Sequence, residues 1–366
     1  MIILTNYKRF AAVISVILIA AMCLAGCAVE KTAPAMGTIN GEEVSGDYYE
    51  YFLRAAQQQM IEDAKITDVD KANAYWETEI DGKKAIDVLR ENAFNDEAKL
   101  YLEVANAKKA GIEMTSDDSK QITSAITNSI TQMGGQASYE ASLKDMGLTT
   151  KSYRTLMEMF WYASKLQEQT MKDNKDYEIS DEEAKEYIEK QNKITAKHIL
   201  FSTKDSETGA DLSAEKQEEM KNVAQEALDK IKSGQEKFDD VMNDLSQDPG
   251  LAQNPDGYTF GKGEMVKEFE DAAYALKEGE MSGLVKSKFG YHIIKREPRV
   301  ISDTEISSAK QEIQNDRYEE LVQSWLKSAK TEFKKSAAEK FEPEKYVKQN
   351  TNTASTSDAS ASVASK

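Results

Sequence analysis

Both histidines of this chain of 366 residues stand at the two ends of one segment. His198 lies in Lys193-Ile194-Thr195-Ala196-Lys197-His198-Ile199-Leu200-Phe201, and His292 lies in Phe289-Gly290-Tyr291-His292-Ile293-Ile294-Lys295-Arg296. In each flank β-branched and aromatic residues alternate with others over a few positions, which predicts a strand. Between them, Met220, Val223, Ala224, Ala227, Leu228 and Ile231 mark a helix, and Phe238, Val241, Met242 and Leu245 a second. Tyr258 and Phe260 open a short strand, Phe269, Ala272, Ala273 and Leu276 set a third helix, and Leu284-Val285 precedes the closing strand. The order strand, loop, helix, helix, strand, helix, strand, strand predicts an α+β domain over residues 191–298.

The remaining chain is long enough for further domains, and a hydrophobic content of 40% allows them real cores. A net charge of −17, spread along the chain, describes a solvated surface that repels phosphate backbones and excludes nucleic acid as an expected partner. At the N-terminus, Lys8 and Arg9 precede an apolar run from Phe10 to Ala21, the pattern of a secretory signal and too short to span a membrane comfortably. Leu24-Ala25-Gly26-Cys27 then resembles a bacterial lipobox, so residues 1–26 are expected to be removed and Cys27 to carry a lipid; an ordinary signal peptide with an incidental cysteine is the alternative. With Cys23 removed, Cys27 is the remaining thiol, and no disulfide can form within one chain. Several acyl chains on one cysteine suffice for stable anchoring, which predicts a membrane-tethered protein on the extracytoplasmic face.

Residues 27–190 read as a helical region. After a tether, Thr38-Ile39-Asn40-Gly41-Glu42-Glu43-Val44 forms a strand-turn element, because Asn-Gly supplies the positive φ of a tight turn. Helices follow: one from Tyr48, Tyr49, Phe52 and Leu53; a longer one through Ile86, Leu89, Ala93, Leu100 and Val104; one from Ser116 to Met133; and one with Tyr153, Leu156, Met157, Phe160 and Trp161 at helical spacing. That last stripe reads first as core, and an exposed version of it would suit unfolded clients. Asp68, Asp70 and Glu79 mimic positions of a calcium loop, but Ala72 and Asn73 stand where a ligand and the turn glycine belong. Ser180 with Glu183, and Ser302 with Glu305, are capping-box pairs. The helix after Ser302 carries Ile306, Ala309, Ile313, Leu321, Val322, Trp325, Ala329 and Phe333, and over residues 299–346 it is expected to return to the helical region. The tail 347–366 has almost nothing to bury and is expected to be disordered.

Within the central segment, Ala196-Lys197-His198-Ile199-Leu200, Phe260-Gly261-Lys262-Gly263-Glu264-Met265, Phe269-Glu270-Asp271-Ala272-Ala273-Tyr274-Ala275-Leu276, Gly279-Glu280 and Gly290-Tyr291-His292-Ile293-Ile294 resemble the parvulin family of peptidyl-prolyl isomerases. With the lipobox and the helical flanks, the whole is similar to the PrsA-type foldase lipoproteins of Gram-positive bacteria. The resemblance implies a small antiparallel sheet with surrounding helices, inserted in an all-α chaperone-like domain. It implies catalytic roles for His198, Asp248, His292 and Ser287, and a proline seat made by Met265, Phe269 and Phe260. It also implies unfolded or partly folded exported proteins as clients, with homodimerisation plausible. Where the family often shows Gly-Gly-Asp-Leu-Gly, this chain has Asn254-Pro255-Asp256-Gly257-Tyr258-Thr259-Phe260, so the rim of the pocket is expected to differ.

These residue types suit the reaction. An X-Pro bond prefers trans only slightly yet crosses a barrier of about 18–20 kcal/mol, and no bond need break. A catalyst must favour the twisted amide, with an apolar seat for the ring and a polar network beside it. Alternatives stay open for each group: the histidines as core groups that hold the fold, Asp248 before Pro249 as a turn starter, Ser287 as bystander. No metal is expected, for want of further His or Cys ligands, and no cofactor. The loop from Ser202 to Leu212 has one Lys and no Arg, so no preference for phosphoserine-proline is expected. Two other readings remain: a holdase with a weakly active or inactive parvulin domain, and a transporter's solute-binding lipoprotein, which would need two lobes of repeated strand-helix units.

Overall fold

The computed structural model describes residues 33–346, so the signal segment, Cys27 and the tail from residue 347 lie outside the described residues. The described residues fall into two compact units, divided after Glu178 and after Ile313. None of their helices is long and apolar enough to cross a membrane.

The first unit opens with β1 (Gly37–Ile39) and β2 (Glu42–Val44), an antiparallel pair. Their turn is Asn40-Gly41, with φ of 51° and 87°, the positive values that a two-residue hairpin needs. Next come α1 (Tyr49–Asp63) and α2 (Val69–Ala74), whose N-terminus is capped by the Asp68 carboxylate accepting from the Lys71 N–H at 2.9 Å. Asp68 and Asp70 thus serve a helix start. A short hairpin, β3 (Glu79–Ile80) with β4 (Lys83–Lys84), leads into α3 (Ala85–Lys109), then α4 (Ser116–Gln132), α5 (Gln136–Asp145) and α6 (Thr150–Asp173). Thr115 and Thr149 each close a reciprocal cap, with Asp118 and Ser152.

Helix α3 is the axis of this unit and packs against both α1 and α6. Leu89, Ala93, Phe94, Leu100 and Leu102 are buried on it, together with Phe52 and Leu53 of α1 and Tyr153 and Leu156 of α6. Met157 and Phe160 are half-buried against the same core. Two acids of α3 are buried with it. Glu97 is fully buried with neither oxygen hydrogen-bonded among the described residues, and burial drives its carboxyl well above the usual range. Glu103 accepts from the Tyr318 hydroxyl at 3.1 Å, and burial raises it to about 8.

The second unit begins with α7 (Asp181–Lys190), where the Ser180 hydroxyl accepts from the Glu183 N–H at 3.1 Å. Then follow β5 (Ile194–Ser202), α8 (Ala214–Lys232), α9 (Phe238–Leu245), β6 (Tyr258–Phe260), α10 (Lys267–Ala275), β7 (Met281–Lys286) and β8 (Gly290–Glu297), the expected order. The strands form one antiparallel sheet in the order β6-β5-β8-β7. Because strand side chains alternate between faces, Ile199, Phe201, Tyr291 and Ile293 meet α8 and α9, whereas Ile194, Ala196 and Ile294 meet Phe269 and Ala273 of α10. The fold is thus α+β, a small antiparallel sheet with helices around it, inserted in a mainly helical unit.

Helix α11 (Asp303–Ser328) starts at a reciprocal cap: Glu305 N–H donates to the Ser302 hydroxyl at 3.2 Å, and Ser302 N–H to the Glu305 carboxylate at 3.0 Å. Its apolar stripe does not serve one partner, as the sequence reading expects. Ile306, Ala309 and Ile313 pack on Ile179, Ala184 and Ile188 within the second unit, and only farther on do Tyr318 and Val322 meet Tyr177 in the first. Phe333 is not helical either. Helix α11 stops at Ser328, and β9 (Thr331–Phe333) pairs antiparallel with β1, so the first unit carries a small three-stranded sheet and is not purely α. The reason is local capture: the Asn40 side chain accepts from the Lys330 N–H at 3.0 Å, and the Phe333 ring lies 5.1 Å from that of Phe94. Last comes α12 (Lys335–Ala338).

Candidate functional site

The pairing of β5 with β8 sets Leu200 opposite His292 and His198 opposite Ile294. With a period of two, both imidazoles then project from the sheet face that meets α10. Their Nδ1 atoms are 3.1 Å apart. His198 Nε2 lies 3.2 Å from Asp248 Oδ2, and His292 Nε2 lies 2.8 Å from Ser287 Oγ. The four polar residues singled out in the sequence therefore form one hydrogen-bonded chain.

Local structure puts each end in place. After α9 the backbone runs beside β5: the Ser246 hydroxyl accepts from the Leu200 N–H at 3.1 Å, and the Gln247 N–H donates to the Leu200 carbonyl at 2.8 Å. Asp248 then opens a turn, accepting from the Gly250 N–H at 3.2 Å, so one carboxylate both starts the turn and ends the chain. At the other end Ser287 follows β7 in a tight return to Gly290, whose φ is +148°. A Cβ on Gly290 would lie 2.1 Å from the Phe201 carbonyl oxygen, so only glycine lets the hairpin close here. The Phe289 N–H donates to Ser287 Oγ at 3.1 Å.

A fifth residue, not singled out for the site by any sequence pattern, joins this network. Tyr258 donates its hydroxyl to Asp248 Oδ2 at 2.7 Å. Its only signal in the sequence is a place at the start of a strand, inside the loop that departs from the parvulin pattern. The preceding Gly257 has φ of +94°, and a Cβ there would lie 2.7 Å from the Ala196 carbonyl oxygen.

Electrostatics orient the chain. Burial by itself would raise the Asp248 carboxyl, but hydrogen bonds from His198, Tyr258 and the Gly250 N–H outweigh it and hold the group at about 2. Burial first, then the bond to Asp248, lifts the Tyr258 hydroxyl to about 12. Burial and the neighbouring His198 press His292 down to about 4, with Asp248 opposing. An ionised Asp248 only accepts, so His198 Nε2–H and Tyr258 O–H both donate to it. The two imidazoles share one proton between their Nδ1 atoms, and His292 Nε2 is bonded to the Ser287 hydroxyl. Each ring nitrogen of the two histidines has a partner.

The apolar side is built on Phe269. Its ring stands edge-on to both imidazoles, at 5.2 Å from His198 and 5.4 Å from His292, and lies 5.7 Å from Phe260. Phe260 and Phe269 are buried, and Met265 is half-buried against them. The two aromatics form a floor, with Met265 at its edge. In the loop after β5, Lys204 is paired with Asp211 at 2.7 Å. Among the described residues no group of three or more His, Cys, Asp or Glu could hold a metal ion.

A family model described as the PPIC-type PPIase domain matches residues 198–298, which begin at His198 and take in the whole network. The chain carries a parvulin-type domain. Among curated relatives, two proteins from Staphylococcus aureus, strains bovine RF122 / ET3-1 and Newman, both named foldase protein PrsA, are 32% identical over 206 residues, 56% of this chain. This chain spans 59% of the length of each of those relatives. Among solved structures, PrsA from Bacillus subtilis is 26% identical over 67% of this chain and 85% of its own, at a TM-score of 0.26. NmPin, the parvulin of Nitrosopumilus maritimus, is 42% identical over 29% of this chain and 96% of its own, at a TM-score of 0.21. Within the parvulin domain of this chain, the paired histidines, the carboxylate, the hydroxyl and the aromatic floor all lie in the matched stretch.

Proposed function

We propose that this chain is an exported foldase that speeds cis-trans isomerisation of X-Pro bonds in unfolded or partly folded exported proteins, tethered to the outer face of the cell membrane by a lipid on Cys27. The observation that carries this reading is the His198–His292 pair, tied between Ser287 and Asp248 and set against Phe269. The relatives named foldase protein PrsA support the client class, and the lipobox supports the tether.

Rotation about the X-Pro bond destroys amide resonance and needs no nucleophile, so the site must bind the twisted amide better than either planar isomer. Met265, Phe269 and Phe260 seat the pyrrolidine ring. Beside it, Ser287, His292, His198 and Asp248 form a network already bonded from end to end, so little reorganisation accompanies the twist. Ser287 is buried and committed to His292, which suits an orienting role over nucleophilic attack.

The test is a prolyl-isomerisation assay on the chain from Ala28 onward with an unphosphorylated X-Pro peptide. His198→Ala and Asp248→Ala, shown to be folded by circular dichroism, serve as comparisons. Acceleration by the parent and its loss in both variants is the expected outcome. A folded parent that does not accelerate the reaction sinks the proposal and leaves a holdase to be tested by suppression of client aggregation.

A further inference from the structure

Met265 stands on a segment without regular structure, residues 261–266, between β6 and α10, in which Lys262, Gly263 and Glu264 are exposed. Such a segment would ordinarily move, and with it the edge of the proline seat. One side chain spans the gap. Glu270, the residue after Phe269 on α10, accepts the Gly263 N–H at Oε2 over 2.5 Å. Its Oε1 lies 3.8 Å from Lys262 Nζ, and its side chain is only 12% exposed. Lys262 Nζ in turn lies 3.9 Å from the ring centre of Tyr274, one turn further along α10. Tyr274 donates its hydroxyl to the Asn192 carbonyl at 2.8 Å and lies 3.4 Å from the Phe260 carbonyl. One face of α10 therefore grips the strand that ends in Phe260 and the loop that leads to Met265, while Phe269 of the same helix forms the floor.

We infer that Glu270 is a positioning residue for the proline seat: its carboxylate straps the Met265 loop to the helix that carries Phe269, so that the seat stands formed before a client arrives. This rests on the isomerase reading. A solvated surface ion pair would contribute little, but a carboxylate that accepts a backbone N–H makes a charge-assisted bond and fixes a main-chain position. Holding the loop beforehand removes its ordering entropy from client binding. Glu270 touches neither the histidine network nor the place of the X-Pro bond, so it acts on affinity and leaves the chemistry of the twist alone.

The experiment compares Glu270→Asp and Glu270→Gln in the same soluble chain, reading KM and kcat separately for an X-Pro peptide and the NMR linewidth of the Met265 methyl. Aspartate keeps the charge but is one methylene short of Gly263, and glutamine keeps an acceptor at full reach. Glu270→Asp is expected to raise KM about tenfold, with kcat within about twofold, and to broaden the Met265 methyl. Glu270→Gln is expected to recover most of both losses. Equal losses in the two variants, or an unchanged KM and linewidth in Glu270→Asp, overturn the positioning role. An inactive parent overturns the isomerase reading instead, and the Met265 linewidths still decide whether Glu270 holds the loop.

Discussion

The Nδ1 atoms of His198 and His292 face each other at 3.1 Å, a spacing at which only one proton fits between them. That contact couples two strands, a turn and a hairpin tip into one unit, with Asp248 and Ser287 holding the outer nitrogens. Substitutions anywhere along the chain should therefore be felt at both imidazoles.

Acid should weaken the parvulin unit in two stages. His292 is pressed from its ordinary 6.5 to about 4, so between those values the unfolded chain takes up a proton that the native state refuses. Stability is therefore intact above about pH 6.5 and is lost as pH falls toward 4. Asp248, held at about 2 against an ordinary 3.8, adds a further loss below about pH 3.8. Thermal unfolding across pH, with the His292 ring followed by NMR, checks this. A His292 midpoint near 6.5 would contradict it.

Tyr258→Phe removes one donor from Asp248 without opening the floor. The carboxyl should titrate above its present value of about 2, with a stability loss of about 1 kcal/mol. Asp248→Ala strips both His198 Nε2 and the Tyr258 hydroxyl of their acceptor and should reduce isomerase activity more than Tyr258→Phe does. Parallel assays and denaturant curves on the two variants measure the order. The reverse order would place Tyr258, and not Asp248, at the end of the network.

Gly290→Ala should be costly out of proportion to its size. The added methyl would meet the Phe201 carbonyl oxygen at 2.1 Å, and φ of +148° suits only glycine. A destabilisation of about 2–3 kcal/mol is expected, with Ser287 displaced from His292 and activity reduced alongside. Denaturant unfolding gives the first figure, and the line shape of the His292 ring resonances reports the second.

In the helical unit, the buried acids of α3 oppose stability as pH rises. Glu103 goes from an ordinary 4.5 to about 8 in the native state, so the native protein holds a proton that the unfolded chain has released throughout that interval. Stability should fall from about pH 4.5 to about pH 8, and Glu103→Gln should flatten that slope. Glu97, fully buried and unbonded, should tolerate Glu97→Leu with a gain in stability. A loss in Glu97→Leu would mean that the carboxyl serves a partner in solution.

Much of this was legible beforehand. The alternation around His198 and His292 marks two strands, which the structure buries on both faces, and the common face of the histidines follows once those strands pair. Helical spacing finds α3, α6, α8 and α10, and the residue types at Ser180, Ser302 and Asn40-Gly41 mark two helix starts and a turn, because each signal lies within a few positions of what it controls.

What local pattern cannot encode is the partner of a group far along the chain. The apolar stripe of α11 reads as one face, yet Ile306 and Ile313 belong to α7 while Val322 belongs with Tyr177, since periodicity records that a face is buried and not against what. Phe333 keeps the helical spacing but is drawn into β9, because Asn40 captures Lys330 and the edge of β1 was free to pair. Tyr258 and Glu270 look like ordinary strand and helix residues. Their hydrogen bonds to Asp248 and Gly263 exist only because the loops between them close at particular lengths. Local pattern marks most of the helices and the strands that carry the two histidines. The register, the loop closures and the partners come from the tertiary fold, because they depend on distances between residues that no local repeat connects.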